Sequence, residues 1–173
     1  MKKSFLSLIF LASIATPALA DETTDLIKQE AEKCTKALLA ADTDEVVRYS
    51  HPRLIEKMGG KEAMVEKFKK GVEDMRAHGV IIEKGTIGEP EKPVKADTWL
   101  VSLVPQTLVA KVQGNRVEKQ THIIGISEDG GKKWTFIDVG ERSEAQLLEV
   151  FPELKGKLKL PEPKKPVVTP AEK

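Results

Sequence analysis

Hydrophobic positions change period once along the chain, near residue 79, dividing it into a helical half and a strand half. Ile27, Ala31, Cys34, Leu38 and Ala41 recur at helical spacing and predict a helix over residues 23–40, with Thr23 or Thr24 as its cap. Asp42 caps a short second helix, and Glu45 three residues on completes a capping-box pattern. That helix carries Val46, Val47 and Tyr49 and ends before Pro52. Leu54, Ile55 and Met58 make another short helical piece, stopped by Gly59 and Gly60. Residues 61–78 then predict a long helix whose buried stripe is Met64, Val65, Phe68, Val72 and Met75, with Gly79 as its stop.

Beyond Gly79 the pattern alternates. Residues 80–89 predict a strand, residues 90–93 a proline turn, and residues 96–104 a strand with Trp99, Val101 and Leu103 on its core face. Residues 107–113 and 117–127 flank a hairpin turn at Gly114 and Asn115, and residues 133–139 return after a turn at Asp129, Gly130 and Gly131. Residues 143–150 close the domain as a short helix. From Pro152 on, Pro and Lys dominate and the apolar period stops, so residues 152–173 read as a flexible or extended tail. Helices followed by a meander of strands with short turns predict an α+β fold, N-terminal helices packed on a curved antiparallel sheet.

The first 20 residues have a different use. Lys2 and Lys3 precede an apolar run at 5–14, too short to cross a hydrocarbon core of about 30 Å, then Pro17 and the small-x-small site Ala18, Leu19, Ala20. This predicts a signal peptide cleaved near Ala20, a domain over residues 21–151, and a periplasmic or secreted bacterial protein with no stable membrane anchor after cleavage. Charge sharpens the picture. Without Lys2 and Lys3 the formal charge of +1 becomes −1, and from Lys155 on six lysines face only Glu162 and Glu172. Residues 21–154 therefore carry 20 basic against 25 acidic side chains. An acidic domain with a basic tail argues against a nucleic-acid partner.

Candidate chemistry is sparse. Cys34 is the single cysteine and sits in the apolar stripe, so it reads as a small buried hydrophobe. His51, His78 and His122 are scattered, with no metal-ligand spacing, and neither a metal nor another cofactor is expected. His78, at the end of a helix, suits the helix dipole. His122 alternates with Ile124 and Ile126 and faces partly inward. Ser127, Asp129, Gly131 and Trp134 match the Ser-x-Asp-x-Gly-x-x-Trp pattern called an Asp-box, which repeats in sialidase propellers; one copy reads as a hairpin lock. Asp97, Glu118, Asp138 and Tyr49 are acid–base candidates by residue type, with Asp138 sharing a strand face with Trp134 and Phe136. No nucleophile elbow, phosphate loop or dinucleotide motif is present.

The long helix over 23–40, the short helix through Tyr49, the Ser50-His51-Pro52 link, the Gly59-Gly60 break, the Met64-to-Met75 helix and the strands behind it resemble the nuclear transport factor 2-like superfamily, which includes ketosteroid isomerase. More narrowly, the Tyr-x-His-Pro link, the Gly-Gly break and the hairpin from Gly125 to Phe136 resemble a group of exported bacterial members. The resemblance implies a cone whose sheet wraps the helices, often with a pocket at its open end. Tyr49, His51, Met64, Phe68, Trp99 and His122 are the expected lining of that pocket, the alternative being a filled core. The expected function is binding of a small apolar ligand or a partner without catalysis; the alternative is a small hydrolase or isomerase in the same cavity. Apolar residues on both strand faces (Val109 against Leu108, Ala110 and Val112; Ile123 against Ile124) further imply a homodimer through the sheet.

Overall fold

A computed structural model describes residues 18–140 and 142–170, so the expected signal peptide lies outside the described residues except for Ala18, Leu19 and Ala20. The helices are α1 (Ala18–Ala40), α2 (Thr43–Tyr49), α3 (Pro52–Lys57), α4 (Lys61–Ala77) and α5 (Glu144–Leu148). The strands are β1 (Val80–Ile87), β2 (Val94–Ala96), β3 (Trp99–Val112), β4 (Asn115–Ser127), β5 (Thr135–Asp138) and β6 (Val167–Thr169), with a 3-10 turn at Pro152–Leu154. This is the expected α+β layout: helices at the N-terminal side and a strongly curled, half-barrel antiparallel sheet.

Local chemistry sets the helix ends. The Asp42 carboxylate accepts from the Glu45 backbone N–H at 3.2 Å and starts α2. Gly59 and Gly60 take φ of 96° and 98°, a left-handed break between α3 and α4 that a β-carbon resists. Ser143 and Gln146 form a reciprocal capping box on α5.

The two long strands β3 and β4 form the centre of the sheet. Each outer edge is shared by two short strands. β1 pairs with β3 along residues 106–112 and β2 along 99–101, while β5 pairs with β4 along 123–126 and β6 along 116–118. Two boundaries differ from the sequence reading. A separate turn at Asp97 and Thr98 divides β2 from β3, with Asp97 at φ 56°. β3 also runs unbroken through Pro105, where the pattern suggested a gap. Pro105 falls between the stretches paired with β2 and β1, its carbonyl accepts from Gly88 N–H at 2.9 Å, and its missing N–H faces that same edge. The ladder to β4 therefore loses nothing.

Both sheet faces are covered by the chain itself. Val104 pairs with Ile123 and Leu103 with Ile124, and alternation sends these two pairs to opposite faces. On the first face Val104, Ile123 and Phe136 pack with Ile27 and Ala31 of α1 and with Tyr49. On the second, Trp99, Val101, Leu103, Ile124 and Ile126 pack with Leu147, Phe151 and Leu154, and Leu158 and Leu160 lie against them. The core thus continues past residue 152, where the sequence reading placed the end of the domain.

Candidate functional site

The six residues expected to line one cavity are distributed over several places. Tyr49, at the end of α2, is buried in the α1-side core with its ring 6.3 Å from Phe136. Its hydroxyl accepts from Arg48 Nη2 at 3.0 Å, and burial raises its pKa. Met64 is buried on α4, and Phe68 is half-buried on the same helix beside Ala41, Thr43 and Val72 in a shallow groove. His51 and Trp99 do meet, on the opposite sheet face, with ring centroids 5.2 Å apart. His122 is half-buried on β4 in a separate cleft. No depression among the described residues is shared by all six.

The acid–base candidates do not converge either. Asp97 occupies the β2–β3 turn, and Glu118 accepts from Arg116 at 3.0 Å near β6. Asp138 is exposed at the end of β5. Crowding by neighbouring atoms raises its carboxyl pKa, while Arg142, the Gly140 N–H bonded to Oδ1 at 3.0 Å, and Lys119 act in the other direction. The Cys34 thiol is pushed up to about 12 by burial, which removes it as a thiolate at neutral pH. His78 Nδ1 donates to the Asp74 carbonyl at 2.7 Å, a helix-end role.

The Asp-box folds as a lock. Asp129 Oδ1 accepts from the Lys132 and Lys133 backbone N–H groups at 3.0 and 2.9 Å and from the Ser127 hydroxyl at 2.9 Å. Ser127 Oγ in turn accepts from Gly131 N–H at 2.8 Å, and Trp134 Nε1 donates to the Gly131 carbonyl at 3.1 Å. Every bond in this set closes the turn upon itself.

Two places combine polar chemistry with burial. The first surrounds His51, which is 1% exposed and stands between Trp99 and Phe151, the latter edge-on at 5.0 Å. Its Nδ1 accepts from Arg53 N–H at 3.2 Å and caps α3. Its Nε2 has no hydrogen-bond partner among the described residues; Glu128 Oε1 lies 3.6 Å away. Arg53 stacks over Trp99 at 4.6 Å and holds Glu153 through two nitrogens at 2.9 and 2.8 Å. This cluster joins α3, the sheet and the C-terminal segment, and it is filled.

The second is a cleft of about 400 Å³. Lys119 through His122 of β4 form one wall, Val139, Gly140, Arg142 and Ser143 another, and Leu160 to Lys164 the third. Burial lowers the pKa of His122, Glu91 opposes the shift and Lys164 adds to it, so the ring is neutral at neutral pH. Lys164 Nζ donates to Gln120 Oε1 at 2.9 Å and so fastens the third wall to the first. Hydroxyl, amide, imidazole, cationic and carboxylate groups (the last from Glu144 and Glu162) here meet apolar surface from Val139, Leu160, Pro161 and Pro163. Such a lining can orient a small amphipathic molecule; it offers no paired nucleophile and base.

Of this cleft the sequence analysis found only His122. The available signal was the alternation Lys157, Leu158, Lys159, Leu160, a two-residue amphipathic period inside a segment that composition marks as a tail. No family model matches the chain, and comparison with curated proteins finds no relative.

Proposed function

We propose that the chain is an exported, non-catalytic domain of the nuclear transport factor 2-like type that binds a small amphipathic ligand in the His122 cleft. One observation carries this reading. The cleft has about 400 Å³, inside the range of about 300–1,000 Å³ typical of small-molecule sites, and its walls mix apolar surface with a few polar groups. Of the expected cone lining, Tyr49, Met64, Trp99 and His51 are themselves packed as core, and Tyr49 borders a smaller depression of about 280 Å³ between α1 and α2. The hydrolase or isomerase alternative requires two positioned titrating groups, and Asp97 lies in a turn, Glu118 on β4, Asp138 at the end of β5 and Tyr49 on α2, with Glu118 bonded to Arg116 and Tyr49 to Arg48.

Native mass spectrometry of protein purified from its expressing cell, followed by titration with an environment-sensitive apolar dye, tests the proposal. The expected result is one saturable dye site with a retained or competing small molecule, weakened at least tenfold by His122→Trp with the fold intact. A parent protein that binds neither dye nor any co-purifying molecule ends this reading.

A further inference from the structure

We propose that the C-terminal strap, residues 155–168, is a docking surface for an anionic lipid bilayer. The strap also supplies the third wall of the His122 cleft, but the inference does not rest on ligand binding there. The strap is held by its apolar side chains: Leu154 is buried in the second-face core, and Leu158 and Leu160 pack against it. Its lysines are left outside. Lys155, Lys157, Lys159, Lys164 and Lys165 are all exposed, with Glu162 the one acidic residue among them. Lys164 Nζ donates to a neutral amide, Gln120.

A solvated charge run would need nothing more. Two further features make this one a surface. The lysines sit on a segment anchored at Leu154, Leu158, Leu160 and again at β6, so little chain entropy is lost when it meets a partner. After Pro166, Val167 and Val168 are 65% and 57% exposed, the two most exposed of the large hydrophobic residues among those described; alternation along β6 turns them to opposite sides, so one of the two faces the bilayer with the lysines. Cations beside exposed aliphatic side chains suit the headgroup boundary of a bilayer, where charge attracts and short apolar groups insert shallowly.

Charge distribution separates a bilayer from a nucleic acid. Residues 21–154 carry a net negative charge, which repels a polyanion long enough to wrap the molecule but not a surface touched on one side only. The strap also contains no aromatic side chain for base stacking and no arginine for bidentate phosphate contacts.

Co-sedimentation of the full chain with vesicles of phosphatidylglycerol and phosphatidylcholine, against phosphatidylcholine alone, is the test. The parent should prefer the anionic vesicles, and the preference should fade as salt shortens the screening length from about 10 Å at 0.1 M to about 3 Å at 1 M. Lysine contributes about fivefold in partition near such a surface, so Lys155→Gln/Lys157→Gln/Lys159→Gln should lower the preference by roughly a hundredfold. All three lysines are exposed, so an unchanged melting curve accompanies that loss. Both chains share the same N-terminal residues, and the apolar run at 5–14 cancels in the comparison. Val167→Ser/Val168→Ser should weaken binding while leaving its salt dependence unchanged. Equal recruitment by both vesicle types, or a triple variant that binds like the parent, overturns the proposal. Complete displacement from the vesicles by a single-stranded polynucleotide at equal charge overturns it in favour of a nucleic-acid partner.

Discussion

The imidazole of His51 caps α3 through Nδ1 and so carries its proton on Nε2, which has no hydrogen-bond partner among the described residues; Glu128 Oε1 lies 3.6 Å away. A second proton would have to enter at Nδ1, turn that acceptor into a donor, and set it against the Arg53 N–H it now receives. Burial lowers the pKa of the ring; Glu128 opposes this, Arg53 reinforces it, and Glu153 opposes it more weakly. Glu128 is half exposed, so its attraction is screened and does not restore the ordinary value of about 6.5. The unfolded chain therefore binds more protons than the folded one below about pH 6.5. Stability is fully present above that pH and falls as pH drops toward the lowered folded pKa. His122, also lowered by burial, adds a loss of the same sign. Asparagine can keep the cap without titrating. His51→Asn should thus lower stability overall, since it loses the contacts to Trp99 and Phe151, yet lose clearly less between about pH 7.5 and about pH 5 than the parent does. Urea unfolding at the two pH values measures the difference, and equal losses in both proteins would reject a lowered His51 pKa in the folded state.

Between elements, α1 approaches β1 closely at Gly85. A β-carbon there would overlap Thr35 Cγ2 and touch Leu108 and Leu39. Thr35 cannot turn away freely, because its hydroxyl accepts from Gln106 Nε2 at 2.9 Å in a buried pair. Gly85→Ala should cost about 1–3 kcal/mol by overpacking. Thr35→Ser keeps the hydroxyl and removes the obstructing methyl, so Gly85→Ala/Thr35→Ser should recover most of that loss in a double-mutant cycle. A double variant no more stable than Gly85→Ala alone would mean that the helix–strand distance is set elsewhere. The sequence announced α1 and β1 through their periods, and the hairpin locks through Asp129 and its glycines, because these signals are local. It did not announce that Pro105 continues a strand, since that depends on where β1 and β2 stop along the neighbouring edge. It also grouped into one lining residues that the fold sets apart. Tyr49, His51, Met64 and Trp99 are all buried, as their apolar neighbours implied, but Tyr49 on α2 packs against one sheet face while Trp99 of β3 points to the other. Which helix or segment covers which face is a non-local fact that residue type and spacing do not encode.

At the scale of the whole molecule, the second sheet face decides where the domain ends. Apolar side chains on both faces of the strands demand cover, and the sequence reading assigned that cover to a second subunit. Over Trp99, Val101, Leu103, Ile124 and Ile126 it is supplied by the chain's own Leu147, Phe151 and Leu154. A dimer through this face would have to displace that segment, so a homodimer is compatible with the fold only through another surface or after such an exchange. Phe151 is 1% exposed and touches His51 edge-on, so Phe151→Ala should cost about 3–5 kcal/mol. Deleting residues 151–173 goes further: it bares the second face, and monomers rarely leave contiguous apolar patches of more than a few hundred Å² in water. The shortened chain should self-associate or precipitate at concentrations where the parent's sedimentation coefficient is constant, and its melting point should fall. If instead the shortened chain sediments and melts like the parent, the segment from Phe151 onward is no part of the core. The strap that places lysines over this face would then lose its anchor, and the membrane-docking surface its fixed geometry.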